Sequence, residues 1–360
     1  MSRSASGRKT GAPTISDVAR VANTSAMTVS RIMNGKRTVD DAVHEAVSSA
    51  VRQLGYNPNG AARTLAGVDR FSIALLYREP VTAYLGELLV GCLEQAERDS
   101  LRLVLARYGS EDDPHQVADR LIAAGIAGVV LPPPLCDVAS VVDLFIAAEV
   151  PTVVIATGHA TVAAGSVRID ELLAARGMTR HLLSLGHRRI GFITGARHLT
   201  ASWERLAGYR GAIEEFGLDY DDDLVARGSF TFKSGVAAAE LLIDQPDRPT
   251  AIFASNDDMA VAAVSVAHRR GLVVPDDITV CGFDDTSLAR AVWPELTTVH
   301  QPIAEMARTA VSILSRDLRV AAGARHLHER QVVMPHKLLR RQSDAAPAAA
   351  NREICPATGA

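Results

Sequence analysis

Eleven histidines and two adjacent carboxylate pairs, Asp257/Asp258 and Asp284/Asp285, are the residues here that could carry acid–base or metal chemistry. Their spacing argues against both. Acids adjacent in sequence do not face each other across a substrate, and no Gly-x-Ser-x-Gly elbow, Walker loop or His-Glu-x-x-His pattern is present. His326 and His328 sit in a polar, loop-like stretch, and Cys92, Cys136, Cys281 and Cys355 lie far apart with no Cys-x-x-Cys pair. No enzyme, metal site, cofactor or disulfide framework is expected, and the thiols read as buried or incidental. Recognition is the remaining chemistry. Arg31 has the forked donors for a bidentate contact to guanine, and Ala26 and Met27 offer methyl surface to thymine. The amide of Asn256 both gives and takes hydrogen bonds, as a pair of hydroxyls requires.

Those side chains need elements to aim them. Between residues 13 and 56, apolar residues recur at helical spacing: Ile15, Val18, Ala19 and Ala22; Val29, Ile32 and Met33; Val43, Ala46, Val47, Ala50 and Leu54. Three short helices sharing one core follow, with Asp40 as N-cap of the third and Gly55 as its terminator. Ile15 to Asn34 has the outline of a helix-turn-helix, with small Ala19 at the helix crossing, Asn23 in a left-handed turn and Ser25 capping the second helix. Generic helical hairpins share that outline. In the DNA-binding reading the second helix presents Ala26, Met27, Ser30 and Arg31 to a major groove. The charge distribution fits: residues 1–67 carry nine Lys/Arg against four Asp/Glu, a balance of +5 in a chain of net −3, leaving −8 on the rest. A basic head on an acidic body suits a polyanion met by the head alone, although a solvated charge bias has the same composition.

From residue 71 the texture changes to short apolar runs separated by amphipathic helical stretches. SIALLY, LRLVLA, GVVLP and PTVVIA form one series, and RIGFITG, TAIFAS and ITVCGF a second. Strands alternating with helices predict an α/β body of two similar lobes with parallel sheets, whose ligand belongs at the carboxyl ends of the strands. Tyr77 and Arg78 follow one such strand and Asn256 closes another. Residues 1–12 and 342–360 lack apolar periodicity and are expected to be disordered tails, the second without a leucine heptad. Composition, 48% hydrophobic and 22% charged, is that of a globular protein. Neither a membrane-spanning run nor an apolar secretion segment occurs, so a cytoplasmic protein is expected.

The head as a whole, TISDVARVANTSAMTVSRIMNGKRTVDDAVHEAVSSAVRQLGYNPNGAARTLAG, resembles the lactose-repressor (LacI/GalR) family. The matching residues are Asp17, Val18, Ala19, Ser25, Thr28, Val29, Ser30, Arg31, Asn34, Gly35, Leu54, Gly55, Tyr56, Pro58, Asn59, Ala62, Arg63 and Leu65, in one order. Asn23 stands where the family usually has Gly. Through LGHRRIGFITG, ASWERLAGYRGAI, AIFASNDDMAVAAV, VPDDITVCGFDDT and PELTTVHQP the resemblance extends over residues 14–341.

The resemblance implies a helix-turn-helix domain over 13–58, a hinge helix or linker over 59–70, and an effector-binding and dimerisation body over 71–341 similar to periplasmic binding proteins. Lobe 1 would span about 71–169 and 302–330, and lobe 2 about 170–299 and 331–341. The implied function is a homodimeric regulator on palindromic operator DNA, repressing carbohydrate genes under control of a sugar. A nucleoside or sugar-acid corepressor, or activation, is the alternative. A small-molecule binding protein without a DNA role is set aside by the head. DNA contacts carry over onto Ser25, Ala26, Met27, Thr28, Ser30, Arg31, Asn34, Tyr56 and Ala62, with Asn59 capping the hinge and Leu65 as a minor-groove wedge or else a buried linker residue. Gly60 departs from a good hinge helix by about 1 kcal/mol relative to Ala. For the effector, Arg205 would hold hydroxyls or carboxylates, Asp284 would accept sugar hydroxyls or cap a helix, and Phe230 would pack on the ligand or in the core. Asp257 is read as the cap of its helix. Ala156 stands where some sugar-sensing relatives place an acid, which argues against galactoside-like recognition.

Overall fold

The computed structural model describes residues 14–33, 41–54, 71–78, 82–109, 112–158, 163–319 and 330–347, and the chain divides into two units, Met1–Phe71 and Ser72–Ala360. The first holds three helices, α1 (Ile15–Val21), α2 (Ala26–Met33) and α3 (Asp41–Leu54). Their shared core is Val18, Ala19, Val29, Val47 and Ala50, ringed by Ile15, Ala22, Ile32, Val51 and Leu54, which is the helical repeat closing on itself. Ala46, one of the repeat positions, is exposed instead. Thr14 and Asp17 form a capping box at α1, the Thr14 N–H donating to Asp17 at 3.0 Å. Hydrogen bonds from Thr14, then from Arg20, pull the Asp17 carboxyl down to about 2. The chain reverses at Asn23, φ 48°, and Ser25 Oγ accepts the Thr28 N–H at 3.0 Å at the start of α2. Asp40, Gly55 and residues 59–70 lie outside the described residues.

The second unit contains two six-stranded sheets. One runs in the order β11 (Gln331–Val333), β5 (Gly165–Arg168), β4 (Thr152–Ile155), β3 (Gly128–Leu131), β1 (Ser72–Arg78), β2 (Arg102–Tyr108), all parallel. The other runs β12 (Lys337–Leu339), β10 (Thr297–His300), β9 (Thr279–Asp284), β8 (Ala251–Ala254), β6 (Ile190–Thr194), β7 (Val225–Arg227), parallel except for β12. Strands β3, β4, β6 and β8 are buried at every residue, as apolar runs without alternation require when helices cover both faces. Helices α4 (Ala83–Arg98), α5 (Pro114–Ala123), α6 (Ala139–Ala147) and α12 (Ile303–Arg319) accompany the first sheet. With the second go α7 (Glu171–Ser184), α8 (Thr200–Glu215), α9 (Phe232–Ile243), α10 (Asp257–Arg269) and α11 (Ser287–Ala291).

The chain crosses between lobes three times, after β5, after β10 and after β11. Two boundaries read from sequence change as a result. Residues 331–341 do not join lobe 2 as a block, because β11 pairs with β5 in the first sheet and only β12 reaches β10. Residues 342–347 are not a tail: Ser343 and Asp344 are buried. Ser343 Oγ receives the Thr297 N–H at 2.8 Å and donates to the Val280 carbonyl. Asp344 accepts from His181 at 2.8 Å and Arg340 at 3.0 Å. Polar residues that dock through hydrogen bonds leave no apolar periodicity to read. Cys92, Cys136 and Cys281 are buried. No helix among the described residues is long and apolar enough to cross a membrane.

Candidate functional site

The carboxyl ends of both sheets open on one cavity of about 350 Å³, within the range of small-ligand sites. Tyr77 and Arg78 come from the end of β1, Ala156 follows β4, Phe230 follows β7, Asn256 follows β8, Asp284 ends β9 and Gln301 follows β10. The six effector-side residues read from sequence, Tyr77, Arg78, Arg205, Phe230, Asn256 and Asp284, all line this cavity. Three non-glycine residues on its wall hold positive φ: Ala156 at 59°, Phe230 at 61° and Asp284 at 111°. Each such conformation costs on the order of 1–3 kcal/mol, and strain of this kind collects where a site over-determines its backbone.

Arg205 is the centre of the cavity floor. It is buried in α8, donates from Nε to Glu171 Oε2 at 2.7 Å and from Nη1 to the Ser255 carbonyl, and lies 3.7 Å from Asp284 Oδ1. Its guanidinium carbon sits 3.6 Å from the ring centroid of Phe283 and 5.7 Å from that of Phe230. Gln301 Nε2 donates to Asp284 at 2.6 Å. Burial pushes the Asp284 carboxyl well above the usual range against the pull of Arg205. The hydroxyl of Tyr84, Oε1 of Glu171 and Oε1 of Gln301 are buried without a hydrogen-bond partner. Orphaned polar atoms of this kind cost about 1–3 kcal/mol each, and since Tyr84 and Gln301 line the cavity, a polar ligand that meets these two gains affinity. Glu171, Tyr84, Gln301 and Asp137 were not singled out in the sequence. The only signal was Gln301 in HQP, just past a strand. Phe230 presses on the turn after β6, where a Cβ at Gly195 would fall 2.0 Å from its ring. Phe232 stays outside the cavity and exposed.

Asn256 takes the capping role expected of Asp257 while still lining the cavity, and Asp257 takes neither expected role. Asn256 Oδ1 caps α10 by accepting the Met259 N–H at 3.0 Å, and its Nδ2 donates to the Phe230 carbonyl at 3.2 Å. Asp257 turns into the core. It accepts the Thr286 N–H at 2.7 Å, the Thr286 hydroxyl at 3.0 Å and the Thr298 hydroxyl at 2.7 Å. A Cβ at Gly282 would come 2.4 Å from its Oδ1, so only glycine leaves it room. This carboxylate thereby pins the loop that carries Asp284.

Burial raises the Asp257 carboxyl to about 7, with the three donors opposing. A carboxyl that the fold prefers protonated contributes most stability below about pH 4, and that contribution falls as pH rises from about 4 to 7. Asp257→Asn, which keeps an acceptor for Thr286, is expected to flatten this part of the melting temperature–pH profile. An unchanged slope would place the titration elsewhere.

In the head, Ala26, Met27 and Arg31 share the exposed side of α2, Met27 being 66% accessible, while Val29 points into the core. Thr28 and Ser30 are half-buried, and the Thr28 hydroxyl meets Ser25 Oγ at 2.9 Å. Asn34, Tyr56, Asn59, Ala62 and Leu65 lie outside the described residues. Among the described residues no group of three His, Cys, Asp or Glu is placed to hold a metal.

Residues 14–59 match the family model for bacterial regulatory proteins of the lacI family, and residues 179–343 match a periplasmic binding protein-like domain. The ribose operon repressor of Haemophilus influenzae is 31% identical over 308 residues, 85% of this chain and 92% of that protein. The HTH-type transcriptional regulator CelR of Thermobifida fusca is 35% identical, spanning 84% of this chain and 91% of that protein. A solved complex of the transcriptional regulator CelR with cellobiose has a TM-score of 0.69 at 31% identity and covers 92% of this chain and 99% of that one. The lac repressor dimer bound to operator and the anti-inducer ONPF shares the fold, with a TM-score of 0.68 at 24% identity over 93% of this chain and 100% of that one. With a matched DNA-binding head, a matched body and relatives aligned along most of their length, this chain belongs to the lacI family of bacterial regulatory proteins.

Proposed function

We propose that the protein is a cytoplasmic, non-enzymatic, homodimeric repressor of carbohydrate genes whose hold on a palindromic operator is set by a neutral sugar in the cavity. The observation that carries the sugar reading is the balance of the cavity floor. Glu171 and Asp284 already surround Arg205, and the unmatched atoms on the cavity wall are Gln301 Oε1, an acceptor, and the Tyr84 hydroxyl. An anion finds Arg205 already neutralised, whereas sugar hydroxyls both donate to Gln301 Oε1 and accept from the Tyr84 hydroxyl, so a sugar is favoured over a sugar acid. Tyr77, Arg78 and Phe230 form walls around it, and Asn256 contributes as a wall residue held by its cap. The relatives' names agree, being a ribose operon repressor and a regulator solved with cellobiose.

On the DNA side, Ser25 fixes the start of α2, Ala26, Met27, Thr28, Ser30, Arg31, Asn34 and Tyr56 meet the major groove and backbone, and Asn59, Ala62 and Leu65 act in the hinge. Two-fold symmetry matches a palindromic site. For the second copy, the second lobe offers an apolar surface with Phe232, Val261, Val292 and Trp293, the last 74% accessible. Effector binding alters lobe closure and thereby the two hinges, a coupling of about 1–3 kcal/mol.

The test is a melting panel of neutral sugars, including cellobiose and ribose, with matched sugar acids and nucleosides. A ligand at 100 times its Kd adds about 2.7 kcal/mol of stability. Asp284→Ala is expected to abolish the shift and leave operator binding intact. A shift from acids alone, or from no sugar, overturns the sugar reading, and a monomer on the operator in sedimentation overturns the dimer.

A further inference from the structure

Helix α8, which carries Arg205, starts without a capping side chain of its own. Its N-cap is Leu199, whereas Thr14, Thr82, Asp113, Asp170, Thr231 and Asn256 cap α1, α4, α5, α7, α9 and α10 from their own chain positions. The missing acceptor arrives from the other lobe. Asp137 ends the short 3-10 turn Leu135–Asp137 that follows β3. Its Oδ2 receives the Thr200 N–H at 2.8 Å and its Oδ1 the Thr200 hydroxyl at 2.9 Å. One more contact supports Asp137 from its own lobe and another joins the two lobes at this point. The Thr157 hydroxyl donates to Asp137 Oδ1 at 2.6 Å, and the Gly158 N–H donates to Thr200 Oγ1 at 2.9 Å. The approach is so close that a Cβ at Gly158 would come 2.4 Å from Glu204 Oε1 and 3.4 Å from Thr200 Cβ. Asp137 is also part of the cavity wall.

We propose that Asp137 is a closure latch: it caps α8 across the cleft when the lobes are together, so that lobe closure and helix capping are one event. The proposal rests on the reading of the cavity as the effector site. When the cleft opens, the first turn of α8 loses its acceptor, and the Leu199 side chain has no polar atom to replace it. Closure is therefore favoured by a charge-assisted set of hydrogen bonds that the open form cannot make. An effector that needs the closed cleft binds with an apparent affinity scaled by the closed fraction. Because Arg205 lies on the same helix, the latch also positions the guanidinium. Asp137 is a positioning residue in this role.

Spin labels on exposed Asp143 of α6 and Asp219 beyond α8, introduced as D143C and D219C with C355S in the full-length protein, read the lobe separation without ligand. Asp137→Ala is expected to lengthen and broaden the distance distribution. Asp137→Asn, which keeps one acceptor, should lengthen it less. Should the alanine variant fail to fold, Thr200→Val removes the bridging hydroxyl and keeps the backbone donor, and it should shift the distance in the same direction. Distributions that superimpose on the wild type for the folded variants overturn the latch. Cellobiose titrated onto the same proteins should bind about ten- to a hundredfold more weakly to the alanine variant. Leu199→Ser added to it would restore a cap but not the affinity, whereas full rescue would reduce Asp137 to an ordinary cap. If cellobiose fails to bind the wild type, its place as effector falls, and the ligand-free distances still decide the latch.

Discussion

Replacing Arg205 by alanine is expected to cost about 3–5 kcal/mol of folding stability, the range for breaking a buried ion pair from one side. Arg205 and Glu171 are 4% and 3% exposed, and Asp284 is 4% exposed. Removing the guanidinium therefore strands two carboxylates in low dielectric and takes a donor from the Ser255 carbonyl. It also uncovers the ring face of Phe283. Urea unfolding with and without Glu171→Gln separates the causes. If stranded charge dominates, the double variant R205A/E171Q recovers part of the loss, with a coupling of about 0.5–3 kcal/mol. The pH dependence has a definite sign. Without Arg205 the buried Asp284 carboxyl loses its stabilising cation and shifts further toward its protonated form, so the variant loses more at pH 8 than at pH 5. Arg205→Lys should also be poor, since an ammonium cannot fork between Glu171 and Ser255 while lying over a ring. A cost below about 1 kcal/mol would mean that water, not protein, balances this charge.

Why Arg205 was legible and Glu171 was not follows from how each is encoded. Strand ends could be read because strands buried on both faces need uninterrupted apolar runs, as in SIALLY, TAIFAS and ITVCGF. Parallel sheets place ligands at those ends, which is why Tyr77, Arg78 and Asn256 can be assigned to the cavity from sequence. Arg205, Phe230 and Asp284 came from the resemblance to a family. Glu171 meets Arg205 across 34 positions and two helices, and as a carboxylate in the first turn of α7 it has the sequence of an ordinary helix start. Asn256 and Asp257 were both competent caps, and only the space left by Gly282 decides which one turns inward. The edge strands β7 and β12, three residues each, carry VAR and KLL, too short for any period to show. Ser343 and Asp344 escaped for a different reason, since they are held by hydroxyls and a histidine and not by apolar contact.

In the DNA-binding head, Arg31→Ala is expected to weaken operator binding by about 1–3 kcal/mol at each half-site, the value of a good bidentate base contact. A homodimer suffers the loss twice. The total of about 2–6 kcal/mol corresponds to roughly thirtyfold to twenty-thousandfold in Kd. Arg31 stands one helical turn beyond Met27 on the exposed side of α2, opposite Val29 in the core. Alanine is at least as good a helix former at an exposed position, so the melting temperature of the head should not move and lost affinity reports lost contact. The probe is a palindromic duplex selected from random sequence by the wild-type protein, with binding followed by anisotropy across a salt series. A base contact predicts that the variant loses its preference at one base pair of each half-site. A phosphate contact predicts a uniform loss over all sequences and a salt slope smaller by about one for each half-site. Met27→Ala should cost less, because a thymine methyl offers only apolar contact, and unaltered affinity in the Arg31 variant would move base reading away from this face of α2.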